Sequence, residues 1–253
     1  MKDYLYNEFI EERKIYIKDI PAILLRPKTT EEVFKTIVFY HGWSSSKESQ
    51  RIRGQILAMF GYQVLLPDSI YHGERNPIDY DSDNGELFWD TVLNTMEEFD
   101  LVHGGLINKY DADQDNITVM GHSMGGFISA GVFTHNEKLR SVITLNGSFA
   151  WDHFNSIFKE ENNLKMTEKQ IEQEVIINRL DPIKNIEKLK DRPILMLHGG
   201  SDTVVSVECQ RLFLRTIEPI NEDKRKARLI KYPNLGHFVT TNMMEDGIRW
   251  LRE

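Results

Sequence analysis

A chain of 253 residues suits one large α/β domain or two small ones, and it can bury a sizeable core without disulfide or metal staples. Its 39 acidic residues against 31 lysines and arginines leave a net charge of −8, which argues against a broad nucleic-acid-binding surface. The single cysteine, Cys209, rules out an intramolecular disulfide and fits a reducing compartment. Residues 1–8 are charged and lack the apolar core of a signal peptide, and no apolar run approaches the length of a membrane span. The expectation is a soluble, cytoplasmic protein with neither a membrane nor a nucleic-acid partner. The sequence carries no internal repeat and says nothing of oligomeric state.

Residues 13–17 and 20–26 read as two short strands about the turn Lys18-Asp19. Pro21 cannot donate to a ladder and points to an edge strand. Residues 35–40 are apolar without alternation, as in a parallel strand covered on both faces. They run into His41-Gly42-Trp43-Ser44-Ser45-Ser46, whose serines can cap a helix over 48–60. Its apolar positions include Ile52, Ile56, Leu57 and Phe60, and Gly61 ends it. A strand over 62–68 leads to Tyr71-His72-Gly73-Glu74-Arg75 and then an acidic connection. One long helix is expected over 86–107, with Leu87, Val92, Leu93, Met96, Phe99 and Leu101 inward and an end or kink at Gly104-Gly105. Strands follow at 117–120, 141–146, 193–198 and 227–232, with helices after Ser123, over 206–216 and over 240–251. This alternation predicts an α/β fold with a mostly parallel twisted sheet and helices on both faces, built as a single domain over 1–253. Residues 147–190 break the rhythm and read as a small helical cap insertion over the carboxyl ends of the strands, where open α/β sheets place their ligands.

The chemistry centres on Gly121-His122-Ser123-Met124-Gly125. This G-x-S-x-G pattern after an apolar strand and before a helix is the nucleophile elbow of α/β-hydrolases. The tight turn exposes the serine hydroxyl, and Gly121 and Gly125 remove the collisions that side chains there would make. A serine needs a base within hydrogen-bond reach, and the base needs an orienting carboxylate. Asp202 follows the strand 193–198 through a Gly-rich turn, and His237 follows the last strand. Alone, the first reads as a turn or capping aspartate and the second as a surface-loop histidine. Together they give the order Ser, Asp, His, each on the carboxyl side of a separate strand. The backbone N–H groups of Trp43 and Met124 are the candidate oxyanion donors. The candidate substrate-binding residues are Trp43, His122 and Trp151; Trp151, with Phe154 and Phe158, reads either as an apolar pocket wall or as the core that docks the insert. His41 reads as a packing residue, and Arg75 as a tie holding its own loop through Asp68 or Glu74. Cys209 reads as a packed helix residue. No metal and no cofactor are expected. Asp111-x-Asp113-x-Asp115 lacks the glycine and glutamate of a calcium loop, Asp79-x-Asp81-x-Asp83 fails likewise, and no H-E-x-x-H occurs.

On His41-Gly42-Trp43, Asp68, His72-Gly73-Glu74-Arg75, Gly121-His122-Ser123-Met124-Gly125-Gly126, Asp202 and Gly236-His237, the chain resembles an α/β-hydrolase over nearly its whole length. It is most similar to bacterial carboxylesterases of the dienelactone hydrolase and prolyl oligopeptidase-like group. The resemblance implies a Ser123–His237–Asp202 triad that cleaves small-molecule carboxylic esters through an acyl-enzyme. The alternative is a small-peptide or amide hydrolase on the same triad, and a third reading is a non-enzymatic binding protein on a hydrolase fold. Dienelactone hydrolases proper use a cysteine where this chain has Ser123, and the chain has no room for the propeller of true prolyl oligopeptidases.

Overall fold

The computed structural model describes residues 7–82, 85–162 and 167–253. The reading of the first six residues, and that of Asp83 in the second acidic run, fall outside them. The chain opens on an antiparallel hairpin, β1 (Ile10–Ile17) and β2 (Ile20–Pro27), then enters β3 (Phe34–Tyr40). A 3-10 turn (Lys47–Gln50) precedes α1 (Arg51–Met59), and β4 (Gln63–Pro67) follows. After a long connection come α2 (Glu86–Glu97) and α3 (Phe99–Lys109), then β5 (Ala112–His122), α4 (Met124–His135) and β6 (Ser141–Leu145). The irregular stretch folds as α5 (Trp151–Asn162), α6 (Glu168–Leu180) and a 3-10 run (Pro182–Leu189). The chain closes with β7 (Ile194–Gly199), α7 (Val207–Ile217), β8 (Ala227–Tyr232) and α8 (Thr241–Trp250).

The strands form one eight-stranded sheet in the order β1-β2-β4-β3-β5-β6-β7-β8, antiparallel at β1 and β2 and parallel from β4 to β8. The central strands β4 and β6 are buried at every position, as the lack of alternation in their sequences requires. One face packs Val92, Val102, Phe127 and Phe213 from α2, α3, α4 and α7, and the other packs Leu57, Met243 and Ile248 from α1 and α8. The expected α/β architecture is the observed one.

Several local expectations are corrected. Pro21 is not on an edge, because β2 lies between β1 and β4. It is tolerated because the β2–β4 ladder ends at Ala22↔Pro67, so its missing N–H falls just past the last pair, while its carbonyl still accepts from the Asp68 N–H at 2.9 Å. The long helix breaks at Glu98, not at Gly104-Gly105, which lie inside α3. Gly105 serves close approach instead: a β-carbon there would stand 2.8 Å from Ile17 Cγ2 on β1. Leu101, expected inward, is exposed. Ile52 and Phe60 are also exposed, and Ser46 leaves the helix N–H groups uncapped, its hydroxyl turning to Glu48 at 3.0 Å.

Candidate active site

The elbow is built by sterics. A β-carbon on Gly121 would lie 1.9 Å from the Gly125 carbonyl oxygen, and one on Gly125 would lie 2.3 Å from the Tyr40 carbonyl oxygen. With both absent, β5 turns into α4 through Ser123 at φ 55°, ψ −122°, a backbone state that L-residues rarely adopt. The Ser123 N–H donates to the Leu145 carbonyl at 2.9 Å, and its own carbonyl accepts from Gly126 and Phe127, so the strain is held from both sides.

Asp202 and His237 arrive from the loops after β7 and β8. The two loops pack so closely that a β-carbon on Gly199 would meet the Gly236 carbonyl oxygen at 2.4 Å. One carboxylate oxygen of Asp202 accepts from the Val204 and Val205 N–H groups at 2.9 and 3.0 Å. The other lies 2.7 Å from His237 Nδ1, and His237 Nε2 lies 2.8 Å from Ser123 Oγ. A carboxylate at Nδ1 selects the tautomer protonated there, which leaves Nε2 as an acceptor facing the serine hydroxyl. Burial pushes the Asp202 carboxyl up, but the His237 and backbone hydrogen bonds outweigh it and hold the group below its ordinary range.

The loop after β3 leans on this centre. A β-carbon on Gly42 would touch Ser123 Cβ at 3.3 Å, so the backbone at residue 42 runs directly beside Ser123. Two buried histidines brace it. His41 Nδ1–H donates to the Gly42 carbonyl at 2.8 Å while Nε2 accepts from the Ser69 N–H at 3.1 Å. His72 Nδ1–H donates to the Ile70 carbonyl at 2.8 Å while Nε2 accepts from the Ser44 N–H at 3.2 Å. Both rings are neutral struts with no nitrogen free for catalysis. The sequence reading quoted His72 but missed this role, which only its partner at Ser44 reveals.

Lys47 was missed as well. It is fully buried, its ammonium 2.5 Å from Asp68 and 2.7 Å from Glu74. Asp68 also receives the Lys47 and Glu74 N–H groups, and a β-carbon on Gly73 would stand 2.3 Å from its carboxylate. Arg75 does tie its loop, but through a bidentate bond to Glu98 at 2.6 and 2.8 Å; it reaches only the backbone carbonyl of Asp68. The reason is that Lys47 already occupies that carboxylate.

Of the expected pocket residues, Trp151 is corrected. It is fully buried, its indole N–H donates to the Ser148 carbonyl at 3.2 Å, and its ring packs on Trp89. The cause is its place at the start of α5, where Asp181 accepts the Trp151 and Asp152 N–H groups at 3.0 and 2.9 Å and locks the helix end into the core. The partly accessible rings are others. Trp43 packs edge-on against His72 and Tyr80 and near Phe88; Phe88 continues to Phe154, and Phe154 stacks on Phe158. Tyr80 sits in a connection without periodicity, so no pattern pointed to it. His122 lies against His237, ring centroids 5.1 Å apart, and burial pushes its pKa down to about 3.

Burial likewise lowers His41 to about 4, and lowers His72 and His198. In the unfolded chain these groups titrate near the ordinary value of about 6.5, so below that pH the unfolded state binds protons that the native state refuses. Stability is therefore full above the unfolded pKa and is lost as pH falls toward the folded values. His41 and His122 alone are expected to remove about 2 kcal/mol or more of unfolding free energy between pH 7 and 5.5. Urea unfolding at the two pH values measures this, and an unchanged midpoint would refute it.

The sequence profile of the prolyl oligopeptidase family matches residues 89–252, a span that contains Ser123, Asp202 and His237. The chain belongs to the prolyl oligopeptidase family. Beyond the family profile, it is 26% identical over 253 residues to Esterase YjfP of Escherichia coli (strain K12), covering 96% of this chain and 98% of that protein. Its fold is similar to that of TT1662 from Thermus thermophilus, with a TM-score of 0.77 at 18% identity over 96% of this chain and 97% of that one. It is also similar to acetyl xylan esterase 1 from Thermoanaerobacterium sp. JW/SL YS485, with a TM-score of 0.71 at 19% identity over 98% of this chain and 84% of that one. The family member described here has the α/β-hydrolase fold and is a hydrolase. Among the described residues, no helix is long and apolar enough to cross a membrane.

Proposed function

We propose that this protein is a serine hydrolase of carboxylic esters. The observation that carries the reading is the unbroken relay from Ser123 Oγ through His237 to Asp202, with both links under 3 Å. In this reading His237 Nε2 takes the Ser123 proton as Oγ attacks the ester carbonyl, and Asp202 stabilises the imidazolium that forms. The N–H groups of Trp43 and Met124 hold the oxyanion; Met124 opens α4, so its N–H points out of the helix end with the favourable sign of the helix dipole. His237 then protonates the departing alcohol and activates the water that releases the acyl group.

The aromatic run Trp43–Phe88–Phe154–Phe158 is the proposed wall for an apolar part of the substrate, with His122 beneath the catalytic imidazole. Since α5 supplies Phe154 and Phe158, residues 147–190 fit the role of a cap insertion in a single domain. Family membership favours the second reading, cleavage of small peptides or amides by the same relay. The experiment compares p-nitrophenyl acetate, butyrate and phenylacetate with aminoacyl p-nitroanilides. Ester turnover is expected, with kcat/KM highest for the phenylacetyl ester, and amide turnover about 100-fold slower or less. Amides cleaved faster than every ester would transfer the conclusion to the second reading, and folded protein inert toward all of them would remove both.

A further inference from the structure

Strand β6 supplies no member of the relay, yet its carboxyl end touches all three loops that do. It lies between β5 and β7 in the sheet. Its last residue, Leu145, accepts the Ser123 N–H at 2.9 Å, and the next N–H, that of Asn146, donates to the Leu197 carbonyl on β7 at 2.9 Å. The Asn146 side chain is fully buried and spans the remaining gap. Its Oδ1 accepts from the Gly199 N–H at 2.9 Å, at the root of the loop that carries Asp202. Its Nδ2 donates to the Phe238 carbonyl at 3.0 Å, one residue beyond His237. Asn146 makes this bridge from φ 49°, in the left-handed region that asparagine tolerates better than most residues.

The acid and base loops are already joined by two backbone bonds, Gly200 N–H to the Tyr232 carbonyl at 2.8 Å and Ser201 N–H to the Leu235 carbonyl at 2.9 Å. Both ties lie on the amino-terminal side of His237. On the other side, Phe238 N–H bonds only back to Gly236 within the loop, and the Phe238 ring is exposed. The Asn146 amide supplies the side-chain hydrogen bond that fixes the backbone at Phe238, ahead of Val239, which packs on the core, and Thr240, which caps α8. One carboxamide thus donates on one side and accepts on the other, a pairing that neither a carboxylate nor a hydrophobic isostere reproduces.

We propose that Asn146 is a positioning residue for catalysis, holding the His237 imidazole in register with Ser123 and Asp202 by bridging the acid and base loops. The proposal rests on the relay reading above. Loss of the bridge lets the imidazole drift from Oγ, and displacements near 1 Å cost about 100-fold in rate. Because Asn146 is buried and both ends of its side-chain amide are taken by Gly199 and Phe238, substrate binding is not its task.

The test uses Asn146→Gly, which suits the positive φ and deletes both bonds, and the isosteric Asn146→Asp, which keeps the acceptor but presents an oxygen to the Phe238 carbonyl. Both are assayed on a p-nitrophenyl ester beside the parent and Ser123→Ala. The expected result is a kcat about 10- to 100-fold below the parent with KM within about twofold, and fluorophosphonate labelling of Ser123 slowed in proportion. For Asn146→Asp, activity relative to the parent is expected to rise as pH falls, since a protonated carboxyl regains the donor. Folded variants with kcat within twofold of the parent, or a flat Asp-to-parent ratio across pH, would overturn the proposal. Should Asn146→Gly not fold, Asn146→Asp alone decides. Retained turnover in Ser123→Ala would instead strike the relay reading itself, so the two failures are distinguishable.

Discussion

Replacing Ser123 by alanine is expected to lower kcat on a p-nitrophenyl ester by at least about 10⁴-fold while the protein keeps its fold. Both residues carry a β-carbon, so the strain at φ 55° is common to parent and variant, and the backbone bond from residue 123 to the Leu145 carbonyl is untouched. Only Oγ is lost. The rate that remains would come from the proposed Trp43 and Met124 oxyanion donors and from substrate binding. Turnover within tenfold of the parent would end the nucleophile assignment. The variant should also fail to react with a fluorophosphonate, since among the described residues Ser123 Oγ is the hydroxyl bonded to His237 Nε2.

The largest effect on stability is expected at Gly121. A methyl group there would overlap the Gly125 carbonyl oxygen at 1.9 Å and Ser129 Oγ at 2.7 Å. The first contact is backbone of the next helix, which no rotamer change relieves. Gly121→Ala should therefore cost about 3 kcal/mol or more and lower Tm by roughly 10 °C, or leave the protein insoluble. Gly104→Ala is the control, because a β-carbon there meets only Asn108 Nδ2, at 4.0 Å, and α3 gains a better helix former. Thermal melts of the two variants side by side make the comparison. Equal Tm values would show that the elbow does not need its first glycine.

The same contrast marks how far the sequence could be read. Gly121 was legible because its constraint is local: its β-carbon would strike the Gly125 carbonyl four residues on. Gly125 was legible only as part of the five-residue pattern, since the group that excludes its β-carbon is the Tyr40 carbonyl on β3. Asp202 and His237 were legible because each follows a recognisable apolar strand, and chain order does the rest. Gly104 and Gly105 look equally like a helix stop, yet one has room for a β-carbon and the other packs on Ile17 of β1, far away in sequence. Trp151 was ambiguous for the same reason. Its burial is decided by Asp181, thirty residues on, whose carboxylate fixes the start of α5.

By itself, the sequence determined the strand-and-helix rhythm, the elbow and the three residues of the relay, since these follow from hydrophobic period, turn sterics and order along the chain. Only the tertiary structure decided which buried polar groups pair with one another around that relay: Lys47 with Asp68, His72 with Ser44, and Asn146 with Gly199 and Phe238. Buried polar groups must be matched donor to acceptor once water is excluded. Those matches join segments tens of residues apart, so no local pattern records them.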